Sequence, residues 1–201
     1  PHDPSEGLLL GIREAATKFG FSFGQISAII HGTTIATNAV LQRKLPRAAL
    51  ITTSGFEDVL EIGRHFRRQI YSNKAEPRTL LIPRSRRFGI KERIKADGSV
   101  ECGLASSEVV RLATRLTDCS AETVAVVLLH AYANTDHERL VAEILERYLP
   151  NIPVSISSEI SPEFREYERT STTVLNALLM PVVGSYLHNL EEKLAKEGVS
   201  A

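Results

Sequence analysis

Apolar positions along the chain fall at helical spacing in some stretches and in short continuous runs in others. Pro4-Ser5-Glu6 is followed by Leu8, Leu9, Ile12, Ala15 and Ala16, and Gly20 then offers a terminator, so this spacing predicts an opening helix. Ala28-Ile29-Ile30 is a short apolar run that stops at His31-Gly32 and predicts a buried strand. Thr33 to Leu45 reads as a helix closed by Pro46, and Arg47 to Thr53 as another strand. Ser54-Gly55-Phe56-Glu57 has the Ser-x-x-Glu form of a capping box, which predicts a helix through about Ile62.

Residues 63–86 are rich in Arg and Pro with little periodicity and read as a long loop. Phe88 to Lys95, Asp97-Gly98 and Ser99 to Glu101 suggest a hairpin. Val109, Leu112, Ala113 and Leu116 mark one face of a helix begun near Ser106, and Thr123 to Leu129 is the clearest buried strand. Leu140, Val141, Ile144, Leu145 and Tyr148 mark the next helix, and Pro153 to Ser157 the next strand. From Ser161-Pro162 onward the pattern is helical, with Val183, Leu187, Leu190 and Leu194 on one stripe. Pro181 should kink or divide that helix, because it lacks an amide proton and crowds the preceding turn. Strands alternate with helices through much of the chain, which argues for an α/β architecture with an at least partly parallel sheet.

Composition narrows the classes. Of 201 residues, 43% are hydrophobic and 24% charged, as in ordinary globular proteins, so global disorder is excluded. Lys+Arg and Asp+Glu both number 24, and no net field draws the chain to nucleic acid or an anionic membrane. Cys102 and Cys119 are the only cysteines, too few for a disulfide scaffold or a Cys-rich zinc site, and the expected compartment is the cytoplasm. No apolar run approaches the roughly 18 residues that span a bilayer. The opening PHDPSEG is no signal peptide and, without an initiator Met, reads as a cut or processed end.

Four segments could carry chemistry, each beside a plainer explanation. His31-Gly32-Thr33-Thr34-Ile35-Ala36-Thr37-Asn38 lies where a strand would feed a helix, the edge at which open α/β sheets gather ligands. Free amides of a first helical turn, the small Gly32 and the Thr33 and Thr34 hydroxyls suit an anion, and Asn38 shares a face with Thr34. Alternatively Thr33 only caps the helix and His31 satisfies a buried carbonyl. Glu57 to Arg64, followed by His65, Arg67 and Arg68, places Arg64 where it could fork onto a phosphate or carboxylate, or merely join a solvated basic loop. Arg84, Arg86 and Arg87 form a similar cluster in strand-like surroundings.

His130 to Glu138 holds two histidines and two carboxylates after a buried strand, yet lacks helical zinc spacing, and Thr135-x-x-Glu138 is itself a capping box. Ser161 to Thr173 begins with a cap and a Pro at the first helical position. Its Thr-Ser-Thr-Thr run is poor helix material, better explained by buried hydroxyls packed on another element. No metal site and no catalytic residue can be assigned from these patterns.

Together, HGTTIATNAVLQRK, ALITTSGFEDVLEIGR, VAVVLLHAYANTDHE and SSEISPEFREYERTSTTVLNA resemble the amino-terminal region of the hydantoinase A/5-oxoprolinase family. The resemblance runs from about Asp3 to Leu194 and embraces N-methylhydantoinases, oxoprolinases and acetone-carboxylase-type subunits. It implies a partial ribonuclease H-like, actin/sugar-kinase-like α/β domain with a mixed sheet and flanking helices. Residues 1–160 would form this region, truncated at its start, and 161–201 a helical segment leading toward a carboxyl-terminal domain. The first phosphate-binding hairpin of such proteins is missing here, and Ala131 stands where relatives often show Ser.

The implied function is that of a fragment of an ATP-dependent cyclic amidohydrolase using ATP and Mg2+. A ring amide is a poor electrophile, and phosphorylating its carbonyl oxygen makes that oxygen a leaving group before water opens the ring. Carboxylase relatives instead phosphorylate an enol-forming ketone and bicarbonate. A second subunit of hydantoinase B type is the implied partner. His31, Gly32, Thr33, Thr34, Asn38 and Arg64 are the expected contacts to substrate or phosphate. The other readings are a noncatalytic assembly or regulatory module of an ATPase-fold complex, and a subunit of an ATP-dependent ketone carboxylase.

Overall fold

In the computed structural model, residues 4–64 and 80–199 are described. Packing divides the chain into two units at places other than residue 160. One unit spans Pro46–Leu178, and the other joins the chain up to Leu45 with the chain from Leu179 onward.

The Pro46–Leu178 unit is built on a sheet of β1 (Ala48–Thr53), β2 (Arg87–Ile90), β5 (Thr123–Val127) and β6 (Val154–Ile156). The order is β2-β1-β5-β6, with every pair parallel. Every residue of β1 and of β5 is buried, which explains why the two central strands read as continuous apolar runs rather than as alternation. The core joins Ala49, Ile51, Phe88, Ile90, Val124 and Val126 to α4 (Ser106–Asp118) and α5 (Asp136–Tyr148). Val109, Leu112, Ala113 and Leu116, expected as one helical face, are all in that core. The first part of α7 (Glu166–Lys196) is tied to the sheet by polar contacts: Thr123 Oγ1 donates to the Ala177 carbonyl at 2.9 Å and Asn176 Nδ2 to Ser155 Oγ at 2.9 Å.

The expected hairpin is split. Residues 87–90 join the parallel sheet as β2, and only β3 (Arg93–Ile94) pairs with β4 (Val100–Cys102) in antiparallel fashion. Gly89 is required in β2, since a Cβ there would lie 2.1 Å from Glu57 Oε1 and 3.0 Å from Ser54 Cα. The turn after β1 therefore rests directly on the β2 backbone. That turn does not act as a capping box: Glu57 Oε2 takes the Gly55 amide at 2.9 Å, and the helix that follows, α3 (Val59–Ile62), is a single turn.

The other unit holds α1 (Pro4–Phe19), one 3-10 turn (Phe23–Gln25), α2 (Ile35–Gln42) and the last part of α7. Its two ends are fastened by an Arg13–Glu197 ion pair and by Lys193 Nζ donating to Ser5 Oγ at 2.9 Å. Leu9, Ala16, Ala39, Tyr186, Leu190 and Val199 are buried, whereas Phe19, Ile30 and Leu41 are exposed. The helix expected from Ser161-Pro162 starts later, at Glu166, because Arg165 adopts φ 79°, which no helix accommodates. Once begun, α7 runs through Pro181 without the expected division. Among the described residues no helix is long and apolar enough to cross a membrane.

Candidate functional site

The segment expected to meet a reactant lies at the surface of the smaller unit. His31, Gly32, Thr33, Thr34 and Asn38 are all exposed. The strand expected at 28–30 is not formed. A strand needs a neighbour for its amides and carbonyls, and the described residues of this unit contain no other strand. The helix expected over 33–45 is shorter, closing at Gln42 because Arg43 turns into the left-handed region at φ 53°.

Thr34 enters α2 without capping it; its hydroxyl instead accepts Asn38 Nδ2 at 3.2 Å, while Thr33 Oγ1 accepts the Ile35 amide at 3.3 Å. The shared face of Thr34 and Asn38 is thus a direct contact. His31 Nε2 and the Tyr186 hydroxyl share a hydrogen bond of 2.6 Å, so His31 serves a side chain rather than a buried carbonyl. Nothing lies within 4 Å of a Cβ built on Gly32, which leaves the backbone open to a ligand. Exposed amides and hydroxyls before a helix fit a phosphate. α2 has no acidic residue in its first turn, and among the described residues no group of three or more His, Cys, Asp or Glu could hold a metal.

Arg64 belongs to the larger unit, where Glu168 on α7 pairs with its guanidinium. His65, Arg67 and Arg68 lie outside the described residues. The Arg84–Arg87 cluster is structural. The Arg87 side chain is fully buried, its Nε donating to the Ile82 carbonyl at 2.9 Å and its Nη1 reaching Asp58 at 3.3 Å and Glu61 at 3.1 Å. Arg84 adds a 2.9 Å pair with Asp58.

Parallel strands bring all their carboxyl ends to one edge. β1 leads to β2 on one flank and β5 to β6 on the other, so the β1–β5 border is the switch point where such sheets open a crevice. Two buried polar networks meet there. In one, the Leu129 amide donates to Thr53 Oγ1 at 2.8 Å, Thr53 donates to Glu92, and Glu92 Oε2 lies 2.7 Å from His137 Nδ1. In the other, Glu138 accepts the Leu128 amide at 2.8 Å, the Ser157 hydroxyl at 2.6 Å and the Ser158 amide at 2.8 Å. Arg169 Nη1 completes it, donating to the Leu128 carbonyl at 2.8 Å and to Ser157 Oγ at 2.9 Å.

Burial pushes the Glu138 carboxyl above the usual carboxylate range despite these donors. Burial also lowers Arg169, while the charges of Glu138 and Glu166 act the other way. Thr135 does not cap α5, and Glu138 turns inward rather than back onto the helix start, which corrects the capping-box expectation. His130 shares a 2.9 Å hydrogen bond with the Tyr132 hydroxyl, and the Arg169 guanidinium lies 5.7 Å from the centre of the Tyr132 ring. The Thr-Ser-Thr-Thr run meets the expectation of buried hydroxyls only in part, since Thr172 is exposed and the bonds stay within α7. Thr170 and Thr173 are buried and return their hydroxyls to the Glu166 and Arg169 carbonyls at 2.6 and 2.8 Å.

The chain is similar to known proteins along nearly its whole length. Residues 1–149 match the hydantoinase/oxoprolinase N-terminal region. The chain is 40% identical to an uncharacterized protein of Methanocaldococcus jannaschii, over 98% of its own length and 29% of the relative's. It is 34% identical to the acetophenone carboxylase gamma subunit of Aromatoleum aromaticum, covering 98% and 29% respectively. The crystal structure of the ATP-dependent caprolactamase from Pseudomonas jessenii superposes with a TM-score of 0.87 at 30% identity, over 98% of this chain and 30% of that one. The chain thus spans less than a third of the length of these relatives. With a family match over most of its residues, and an α/β fold shared with the lactam-cleaving enzyme, the chain belongs to the hydantoinase/oxoprolinase family.

Proposed function

We propose that this chain works as the amino-terminal part of a longer ATP-dependent enzyme that activates the carbonyl of a cyclic amide before hydrolysis. The observation that carries this reading is the likeness to the ATP-dependent caprolactamase along 98% of the chain. ATP, when bound, supplies a phosphoryl group that converts the amide oxygen into a leaving group. The residues of this chain would position the phosphate: the Thr33 and Thr34 hydroxyls and the amides that open α2 face water, and Gly32 leaves the backbone approachable. His31, held by Tyr186, and Asn38, held against Thr34, would set the shape of that turn. Arg64 would answer to substrate or phosphate only by leaving Glu168. Among the described residues no group of three or more His, Cys, Asp or Glu could hold a metal.

The relation to a carboxylase gamma subunit supports an assembly with a second subunit and favours a specific second reading, ATP-dependent carboxylation of a ketone. An assay of the longer subunit with its partner separates the two. ADP release driven by hydantoin, 5-oxoproline or caprolactam is the expected result; release only with a ketone plus bicarbonate establishes the second reading instead. In the same assay Thr34→Ala is expected to lower turnover by roughly tenfold or more with unchanged circular dichroism. An unaltered rate removes the turn at residue 34 from the mechanism.

A further inference from the structure

The division between the two packed units falls inside α7, after Leu178. Two features that soften a helix follow at once: Pro181, and the exposed pair Gly184-Ser185. A Cβ built on Gly184 would meet nothing within 4 Å, so no close neighbour demands a glycine there.

Pro181 has no amide proton, and its ring crowds the carbonyl four residues earlier, that of Ala177. Ala177 is fully buried, where a carbonyl left without a donor is costly. The donor comes from the sheet instead: Thr123 Oγ1, on the first residue of β5, lies 2.9 Å from the Ala177 oxygen. The same hydroxyl has a second acceptor within reach, the Pro153 carbonyl at 3.2 Å. A hydroxyl carries one proton, so these two oxygens compete for it. The competition is unequal. Pro153 already accepts the Val124 amide at 2.9 Å, whereas Ala177 lacks the amide that a residue other than proline would give it. Should α7 let go, the hydroxyl turns to Pro153 and stays bonded, and only the Ala177 carbonyl has to find water. The bond from Asn176 Nδ2 to Ser155 Oγ keeps the first part of α7 on the sheet meanwhile.

We propose that Thr123 is a two-position latch on a hinge in α7. Bonded to Ala177 it holds the turn at Pro181 closed; turned to Pro153 it frees the part of α7 after Pro181 to swing. Tyr186 lies on that part and shares its 2.6 Å hydrogen bond with His31, so the segment before α2 travels with the helix. The latch rests on the helix and the sheet alone and needs neither a nucleotide nor the reaction proposed above.

The test is hydrogen–deuterium exchange of the isotopically labelled 201-residue chain, read at single amides by NMR. Thr123→Val keeps the side chain's shape and removes its proton. It is expected to speed exchange about tenfold at the Val182 to Ser185 amides, which bridge the hinge, and to leave those of β1 and β5 unchanged. Pro181→Ala returns an amide to the Ala177 carbonyl; alone it should slow exchange at these positions, and combined with Thr123→Val it should cancel the acceleration. Unchanged exchange at 182–185 in Thr123→Val overturns the latch. Acceleration shared equally by β1 and β5 overturns it too, since a general loss of stability opens every element alike, and so does an effect that Pro181→Ala leaves intact. If Thr123→Val fails to fold, Pro181→Ala alone decides: exchange at 182–185 as fast as in the native chain is then fatal to the proposal.

Discussion

Single residues carry more of this structure than their types suggest. Gly89 lets the Ser54–Glu57 turn lie on β2, and Gly89→Ala is expected to cost about 1–3 kcal/mol in urea denaturation, since Ser54 Cα as well as the Glu57 carboxylate must give way. A loss under a few tenths of a kcal/mol would mean that the turn moves freely. Little of this was legible in the sequence, because a glycine in a strand-like run looks the same whether it meets solvent or another backbone. Glu92 is the extreme case. It stands between Lys91 and Arg93 in an ordinary charged stretch, and nothing there signals that it bridges Thr53 and His137 in the interior. The Thr33–Asn38 segment was more readable, since hydroxyl, amide and helix spacing are local properties and the Thr34–Asn38 contact followed from them.

Among elements, the sequence reported best where burial and periodicity coincide. The strands at 48–53 and 123–127 and the helices at 106–118 and 136–148 all fell close to their expected places, because each buries a continuous run or a single stripe. Residues 28–30 failed for a reason composition cannot reveal: an apolar run becomes a strand only beside a partner. The link among α5, α6 (Ser157–Ile160) and α7 is the Glu138–Ser157–Arg169 network. Arg169→Met should lower stability by roughly 1–3 kcal/mol, since it leaves the buried Leu128 carbonyl and Ser157 hydroxyl without their donor. An equilibrium unfolding series reads this directly, and a neutral result would make the network dispensable.

Glu138 also sets a pH dependence at this scale. Its folded carboxyl titrates above the unfolded value, so its contribution is complete below about pH 4.3 and fades as pH rises through the raised folded value. The stability gap between the native chain and Glu138→Gln is therefore expected to be widest near pH 4 and to narrow toward neutrality. A gap independent of pH would contradict the assignment.

At the scale of the whole molecule, the α/β class was legible from alternation, but the division into units was not. The sequence offers no composition change near 45 or 178, and the boundary depends on which distant segments pack together. The Pro46–Leu178 unit contains the whole parallel sheet and its core, so this segment alone is expected to give a cooperative melting transition and dispersed amide signals. A molten or unfolded product would show that the sheet leans on the rest. The other unit draws its parts from opposite ends of the chain, as the Arg13–Glu197 and Ser5–Lys193 pairings show. During translation that has a fixed order as its consequence. The sheet can condense while the ribosome is still at work, but α1 must wait, its partners unmade, until the end of α7 has been made.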